Sequence, residues 1–429
     1  MIISTSDCPS DWSIKQVQDV MEVNAQTLNG STSKDYLMNY ISIESVKEQS
    51  IDWGKVQQTT FAESPSRARR LIKNGDLLIS TVRPNLKSFA IFKAPQEGNW
   101  VASTGFAVAS ADTDFSAQFY FYQILSGIGA KQFHSLVVGS NYPAINEGEF
   151  RRIRLFDAPL PEQKAIAGIL SKVDEAIESV ENSIKAAERL KKSLMQNLLT
   201  GKLKPDGNWR SKDEFYVDEK FGKVPKGWET RKGKDLFRAY GSTSLDKVDL
   251  SKSGDCVYMK VSDFNLEGNE LYINAANITF DYDDNQNLTY CMPGFLVVSK
   301  RGEAIRKNRV RLLKKRTLLD PNLMAFEIID GDSLFYKFLI EEMNLQRFLE
   351  NSALPQLNNK DFYPRHFLYP PIGVQLMIGD LLLKSHLEIG KKYSKIQSLQ
   401  KLKKSLMQNL LTGKVRVDVE KINKLLEEV

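Results

Sequence analysis

Residues Leu190 to Lys202 read LKKSLMQNLLTGK, and residues Leu402 to Lys414 read LKKSLMQNLLTGK again. The thirteen residues are identical at an offset of 212 (402 − 190), close to half of the 429-residue chain. Leu, Lys, Met and Gln are good helix formers, and the Thr-Gly that follows closes a helix. A repeat of this length makes the chain two copies of one unit, each ending in the same helix.

The helix extends upstream of the repeat. From Glu162 to Leu199 there is no Pro, and the only Gly is Gly168. Ile166, Leu170, Val173, Ile177, Val180, Ile184 and Ala187 follow alternating steps of 4 and 3, the seam of a coiled coil. Pro161 suits the first helical turn and Gly201 the end. After Ala187 the phase slips to Leu190, Leu194 and Leu198, which changes the winding and the face turned to a partner. Such a helix spans about 57 Å at roughly 1.5 Å per residue, and its apolar stripe needs a partner along its length. A second long helix follows Pro370-Pro371 and runs to Leu411, with Ile378, Leu382, Ile389, Ile396, Leu399, Leu402, Leu406 and Leu410 as its seam.

The duplication reaches beyond the helices. Pro159, Gln163 and Ile177 match Pro371, Gln375 and Ile389 at 212, and Ser140, Pro143, Asn146 and Phe150 match Ser352, Pro355, Asn358 and Phe362. Pro9 and Trp12 match Pro225 and Trp228 at 216, and Gly75–Ser80 (GDLLIS) resembles Gly294–Ser299 (GFLVVS). The chain divides into a mixed, strand-rich domain over 1–157, a helix segment over 158–201 and a polar connector over 202–227. A second mixed domain over 228–369, a second helix segment over 370–413 and a tail over 414–429 follow. Tyr40–Ile43 and Asp76–Ser80 read as strands, the latter entered through Asn74-Gly75. Phe115–Ile124 (FSAQFYFYQI) is a buried helix or strand that periodicity does not separate. The helices keep their residues and the domains do not. A helix that stays constant meets the same thing twice, and domains that diverge meet two different things.

Net charge of +6 and a pI near 8.9 lean toward an anionic partner, and local clustering is more informative. Ser299–Arg316 (SKRGEAIRKNRVRLLKKR) holds nine Lys or Arg against one acid, Glu303. It follows the strand-like Phe295–Val298, which puts it on a hairpin or exposed loop. Such density neutralises phosphates, and Arg or Lys also reads guanine edges. A solvated face is the competing reading, but the imbalance of charge is large for a salt-bridged one. Lys300, Arg301, Arg306, Lys307, Asn308, Arg309 and Arg311 are the candidate contacts. The first domain has a weaker counterpart in Ser66–Lys73 (SRARRLIK) and Ser80–Lys87 (STVRPNLK), with Arg67, Arg69, Arg70, Thr81, Arg83, Asn85 and Lys87 as candidates. A turn built around Pro84 competes with that reading. The loops Gly139–Asn146 and Asn351–Asn358 read as turns leading toward the long helices, and Asn141 and Tyr142 are further candidates.

Catalytic motifs are missing. There is no GxxxxGK[ST] and no GxGxxG opening a helix; Gly127-Ile128-Gly129 reads as a turn. Tyr369-Pro370-Pro371-Ile372 lacks the Asn or Asp of an amino-methyltransferase tetrad. Asp157 with Glu162-Gln163-Lys164 imitates a nuclease set only superficially, and His134, His366 and His386 have no metal-ligand spacing. Each histidine is expected on a surface or helix face. Cys8, Cys256 and Cys291 make no CxxC pair, which suits a reducing cytosol. The first residues, MIISTSDCPSDW, show no signal peptide, and no apolar run approaches the ~18 residues of a membrane span.

Two divergent domains, each followed by a near-identical long helix, resemble the specificity subunit of type I restriction-modification systems. Pro-Lys-Gly-Trp at 225–228 and Pro-Ser-Asp-Trp at 9–12 look like that family's domain start. Pro159-Leu160-Pro161-Glu162-Gln163 looks like its entry into the conserved helix, and Leu194–Gly201 (LMQNLLTG) like its exit. The second entry, Pro370-Pro371-Ile372-Gly373-Val374-Gln375, lacks the Pro-Glu pair before Gln.

The resemblance implies an α+β fold: two mixed α/β target-recognition domains joined by two long helices that form an antiparallel coiled coil, with a pseudo-two-fold internal repeat. It implies a cytoplasmic, prokaryotic, non-catalytic subunit that reads a split site in double-stranded DNA and recruits two methyltransferase subunits and, through them, restriction subunits. S-adenosylmethionine, ATP and magnesium are expected in those partners, with no cofactor or metal in this chain. Ile166, Leu170, Val173, Ile177, Val180, Ile184, Ile389, Ile396 and Leu399 are expected to serve the sister helix. The repeated Leu-rich end, with Leu194, Leu198, Leu406 and Leu410, is expected to form the methyltransferase docking surface. The alternatives are the specificity subunit of a related coupled methylation and cleavage system, or a coiled-coil scaffold whose domains bind proteins.

Overall fold

The computed structural model describes residues 8–47, 49–139, 143–349 and 356–427. The chain forms two units: residues 1–181 with 395–429, and residues 182–394. Each unit holds one mixed domain, the beginning of the long helix that follows it and the end of the other long helix. The two long helices, Leu160–Leu198 and Ile372–Leu410, are both 39 residues long.

In the first unit Ser13–Gln16 pairs antiparallel with Arg154–Asp157, Ser13 opposite Asp157. The start and end of the domain therefore lie side by side, and the long helix leaves from that point. Between them are two four-stranded sheets. One orders Gln57–Thr60, Leu37–Ile41, Trp100–Ser103 and Ala68–Leu71; the other orders Glu22–Val23, Phe106–Ser110, Leu77–Ser80 and Phe89–Ile91. The GDLLIS stretch becomes the central strand Leu77–Ser80, buried along its whole length. Phe115–Ile124 lies within a helix, Asp114–Leu125, capped by Thr113, whose hydroxyl accepts from the Ser116 amide. Phe119, Tyr120, Phe121, Tyr122 and Ile124 are all buried, so the helix is apolar on every side and shows no amphipathic period. Gly127-Ile128-Gly129 is not a turn: it opens the helix Gly127–Leu136, with Ser126 accepting from the Ile128 amide. Gly129 lies against the Ile124 carbonyl, where a Cβ would sit 2.0 Å from the oxygen.

The second unit repeats the scheme. Glu229–Lys232 pairs antiparallel with His366–Tyr369, at the start and end of its domain. A five-stranded sheet orders Phe237–Tyr240, Leu323–Ile328, Leu296–Ser299, Val310–Leu313 and Tyr272–Ile273. A three-stranded sheet orders Ile278–Phe280, Cys256–Met259 and Thr317–Leu319. The GFLVVS stretch becomes the buried strand Leu296–Ser299. The parallel pairing of Cys256–Met259 with Thr317–Leu319 matches that of Leu37–Ile41 with Trp100–Ser103.

The long helices pair antiparallel in both units. In the first, Leu170 shares a core with Leu410 and Leu411, and Lys403 reaches Asp174. In the second, Leu198 shares a core with Ile378 and Leu382, and Lys191 reaches His386. Ile166, Leu170, Ile184 and Ile389 are buried, and Val173, Ile177, Val180, Ile396 and Leu399 are half-buried. Leu402 departs from the expected seam: it is 47% exposed, as its counterpart Leu190 is 60% exposed. The phase slip explains both, because beyond it the buried stripe turns from the sister helix onto a mixed domain.

That stripe is the role of the repeat. Met195, Leu198 and Leu199 are buried in the second unit's core with Val224 and Trp228. Leu410 and Leu411 are buried in the first unit's core with Trp12. The ends are built alike. Thr200 and Thr412 hydroxyls donate to the Gln196 and Gln408 carbonyls, and Gly201 and Gly413 amides to the Leu198 and Leu410 carbonyls. Gly201 (φ +69°) and Gly413 (φ +65°) are left-handed, and a Cβ there would lie 2.3 Å from Pro225 Cγ and 2.4 Å from Pro9 Cγ. The Pro-x-x-Trp turn and the Thr-Gly helix end are therefore two halves of one joint, made once in each unit.

Candidate nucleic-acid interface

Each domain presents one loop on the same frame. In the first unit the chain leaves Leu77–Ser80 into Thr81 and Val82. The Ile145 amide donates to the Thr81 carbonyl at 2.9 Å, and Val82 bridges to Ala144. In the second unit the Leu357 amide donates to the Lys300 carbonyl at 2.9 Å, and Arg301 bridges to Gln356. Residues 145 and 357, and 144 and 356, stand at the offset of 212. The duplicated loop before each long helix thus anchors the basic segment of its own domain.

On this shared frame the side chains differ. In the first unit Arg83, Asn85, Leu86 and Lys87 are exposed around a short 3-10 turn, Pro84–Leu86. Arg83 and Lys87 bracket it in left-handed conformation. Thr81 is half-buried and its hydroxyl donates to the Gly105 carbonyl. In the second unit Arg301, Arg306 and Lys307 are exposed and Lys300 is half-buried around the short helix Glu303–Arg306. Arg306 lies 3.6 Å from Glu303, and Arg309 donates to Asn265 Oδ1 at 2.8 Å.

Four expected contacts are engaged inside the fold instead. Arg311 donates to the Asn269 carbonyl at 3.0 Å and lies 3.5 Å from Glu341. Burial pushes its pKa down, opposed by the Glu341 charge. Asn308, left-handed at φ +49°, donates to the Glu341 carbonyl and accepts from the Leu345 amide. Arg70 donates to Thr27 Oγ1 and to Glu147 Oε2. Burial pushes Glu147 up, but hydrogen bonds from Arg151 and Asn24 outweigh it and leave that carboxyl below its ordinary value. Arg69 folds over the Phe61 ring, 4.4 Å from its centroid, and donates to the Ala68 carbonyl. Arg67 remains exposed at the head of that strand. Asn141 and Tyr142 lie outside the described residues.

The Leu-rich helix end is likewise not an external apolar surface. Leu198 and Leu410 are buried, and Leu194 and Leu406 are half-buried against the cores of the units that hold them. The stretch exposes a polar stripe, Lys192, Ser193 and Gln196 in one copy and Lys404, Ser405 and Gln408 in the other.

The acidic residues at the entry of the first long helix are structural. Glu162 accepts from Trp12 Nε1 at 2.9 Å and from Arg416 at 2.7 Å, while Arg416 also donates to both oxygens of Asp11. These hydrogen bonds hold Asp11 below the usual carboxylate range. The sequence signal for Arg416 was absent, since its two partners lie 254 and 405 residues away. Gln163 donates to the Ala158 carbonyl, and its counterpart Gln375 to the Pro370 carbonyl, both at 2.8 Å. Among the described residues no group of His, Cys, Asp and Glu is placed to hold a metal ion, and no helix is long and apolar enough to cross a membrane.

Two like frames thus carry unlike basic loops, one in each unit. Comparison with known proteins finds similar chains. Residues 9–189 match the type I restriction modification DNA specificity domain. The type I restriction enzyme MjaIX specificity subunit of Methanocaldococcus jannaschii is 21% identical over 437 residues, covering 96% of this chain and 95% of the relative. The MjaVIII specificity subunit of the same organism is 25% identical over 290 residues, covering 65% and 66%. The type I restriction-modification S subunit of M. genitalium has the same fold, with a TM-score of 0.55, 12% identity and 96% and 98% coverage. So does a chain solved in work on complex assembly and conformational transition of the type I R-M system, with a TM-score of 0.57, 17% identity and 95% and 99% coverage. Over nearly its whole length the chain is similar to specificity subunits of type I restriction-modification systems.

Proposed function

We propose that this subunit is the non-catalytic DNA reader of its complex, each domain taking one half of a split duplex site. The observation that carries this is the pair of loops anchored alike but armed differently. One frame with two sets of side chains suits one kind of ligand with two sequences. Arg83, Asn85 and Lys87 read one half-site, and Lys300, Arg301, Arg306, Lys307 and Arg309 the other. Such cations neutralise phosphates, and Arg and Asn are bidentate readers of guanine and adenine edges.

The same reading assigns the methyltransferase docking surface to the two identical polar stripes. Packing explains why Leu198 and Leu410 are the same; it does not explain why the exposed Lys192, Ser193 and Gln196 recur as Lys404, Ser405 and Gln408. Two copies of one partner explain it. S-adenosylmethionine, ATP and magnesium belong to the partner subunits, and restriction subunits join through them, in the cytoplasm of a prokaryotic cell.

The test is binding to duplex DNA, with and without the partner methyltransferase, across a salt series. A DNA reader loses affinity steeply with salt. Changing Arg301, Arg306 and Arg309 to Glu weakens binding and flattens that dependence; unchanged binding removes the second surface. A protein-binding scaffold would show no affinity for the duplex at all.

A further inference from the structure

The loop of the first unit carries a feature that charge does not account for. Leu86 is 63% exposed at the tip of the Pro84–Leu86 turn, between the exposed Arg83, Asn85 and Lys87. A single exposed leucine is ordinary. This one is held out by a constrained backbone. Arg83 (φ +48°) and Lys87 (φ +51°) both sit in the left-handed region, which residues with a Cβ seldom occupy. The strain is fixed from several sides. The Arg83 amide donates to the Pro143 carbonyl at 2.7 Å, the Leu86 amide to Arg83 and the Lys87 amide to Pro84. Ser80 Oγ donates to the Val82 carbonyl at 2.6 Å, and the Pro84 ring is buried. Backbone strain kept in place by this many contacts points to a presented side chain rather than a slack loop.

The second unit resolves the same position differently. The apolar residue of its loop, Ile305, is fully buried in the core with Leu345, and the exposed positions around it are Arg301, Arg306 and Lys307. An apolar tip is therefore not a requirement of the frame. It is particular to the first domain.

We propose that Leu86 is a specificity-determining residue that packs on a thymine methyl group in the major groove of the first half-site. This rests on the DNA-reading assignment above. The chemistry is direct: the thymine C5-methyl is the apolar mark on a base edge, and an aliphatic side chain reads it by contact. Arg83 and Lys87 on either side supply the phosphate contacts that hold the tip in the groove. The first unit thus reads with an apolar tip between cations, the second with cations alone.

The experiment uses the full-length subunit with its methyltransferase partner and a duplex bearing its own methylation target, located by sequencing methylated adenines in the host genome. Each thymine of the target is replaced in turn by uracil, which lacks only the methyl. For the wild type, one thymine-to-uracil change in one half-site weakens binding about fourfold, the value of one buried methyl group. For Leu86→Ala that change has no effect, while the salt dependence stays that of the wild type. Uracil sensitivity equal in both proteins, no sensitive position, or a first half-site without thymine overturns the proposal. Arg83→Ala and Lys87→Ala separate its failure from failure of the DNA-reading assignment. If they weaken binding and Leu86→Ala does not alter the uracil profile, only the role of Leu86 falls. If neither changes affinity or salt dependence, the loop does not touch DNA.

Discussion

Lys191 Nζ lies 3.2 Å from His386 Nδ1, and its repeat counterpart Lys403 lies 2.6 Å from Asp174, the residue 212 positions before His386. One internal position thus holds an ammonium–carboxylate pair in the first unit and an ammonium–imidazole pair in the second. The surroundings explain the difference. Asp174 also accepts from Tyr122 at 2.8 Å, where the second unit has the apolar Phe338. Near His386 stand three cations, Lys191, Lys337 and Arg311, and one carboxylate, Glu341. Glu341 already takes Lys337 at 2.6 Å and Arg311 at 3.5 Å. Lys191 donates to the ring nitrogen of a neutral histidine, and neutrality is what this crowded site tolerates.

That site makes stability depend on pH. Burial first, then the charges of Lys191 and Lys337, push His386 down to about 4 from an ordinary 6.5. A histidine whose folded value is depressed favours the fold while neutral. Its contribution is complete above pH 6.5 and is lost as pH falls from 6.5 toward 4. Asparagine can accept from Lys191 through its carbonyl and does not titrate. Thermal melts over this window should show the wild type losing more stability than His386→Asn, and parallel curves would remove His386 from the explanation.

A second internal substitution strands a hydroxyl. Tyr120 in the first unit donates to Asp157 Oδ1 at 2.8 Å. Its counterpart Tyr336 is fully buried, and its hydroxyl has no partner among the described residues. The residue in the place of Asp157 is Tyr369, whose own hydroxyl donates to Asp330 and whose ring stacks under Arg231. Tyr120→Phe should cost about 1 kcal/mol, the net worth of one hydrogen bond. Tyr336→Phe removes an unsatisfied buried group and should be neutral or stabilising by about 1 kcal/mol. Denaturant unfolding of both variants checks the sign: a loss at Tyr336 as large as at Tyr120 would mean that its hydroxyl is paired.

These pairs show where the sequence was legible. The Pro-x-x-Trp turns, the Gln163 and Gln375 caps and the Thr-Gly helix ends are local geometries, and each recurs with its residues intact. Loop position was legible too, because it follows a duplicated strand. The fate of each cation was not. A window rich in Arg counts Arg301 and Arg311 alike, yet Glu341 and Asn269, which hold Arg311, lie 30 and 42 residues away. Periodicity also marked Leu198 and Leu410 as apolar without saying whether a partner or their own unit's core covers them. For the same reason Leu194→Asp and Leu406→Asp would disturb folding before assembly.

The joint between helix end and turn should be equally brittle in both units. Alanine at Gly201 or Gly413 must take a left-handed backbone, at roughly 1 kcal/mol, and place a methyl on Pro225 or Pro9. Each change should cost about 2–4 kcal/mol in denaturant unfolding. Leu410→Ala, which empties a buried site, belongs in the same range of about 2–5 kcal/mol. A loss at Gly201 with none at Gly413 would mean that the two joints are not equivalent.

Arg301 and Arg311 stand ten residues apart in one basic segment and should separate binding from folding. Arg301 is exposed on the loop, whereas Arg311 is largely enclosed against Glu341 and the Asn269 carbonyl. Arg301→Ala should leave the melting temperature unchanged, weaken DNA binding and reduce the salt slope by about 1 if the arginine meets a phosphate. Arg311→Ala removes one of the two cations on Glu341 and leaves the Asn269 carbonyl without that donor, so it should lower stability by about 1–3 kcal/mol. Its effect on DNA should vanish once binding is measured well below the melting temperature. An Arg311→Ala protein that melts like the wild type but binds DNA poorly would put Arg311 back among the contacts.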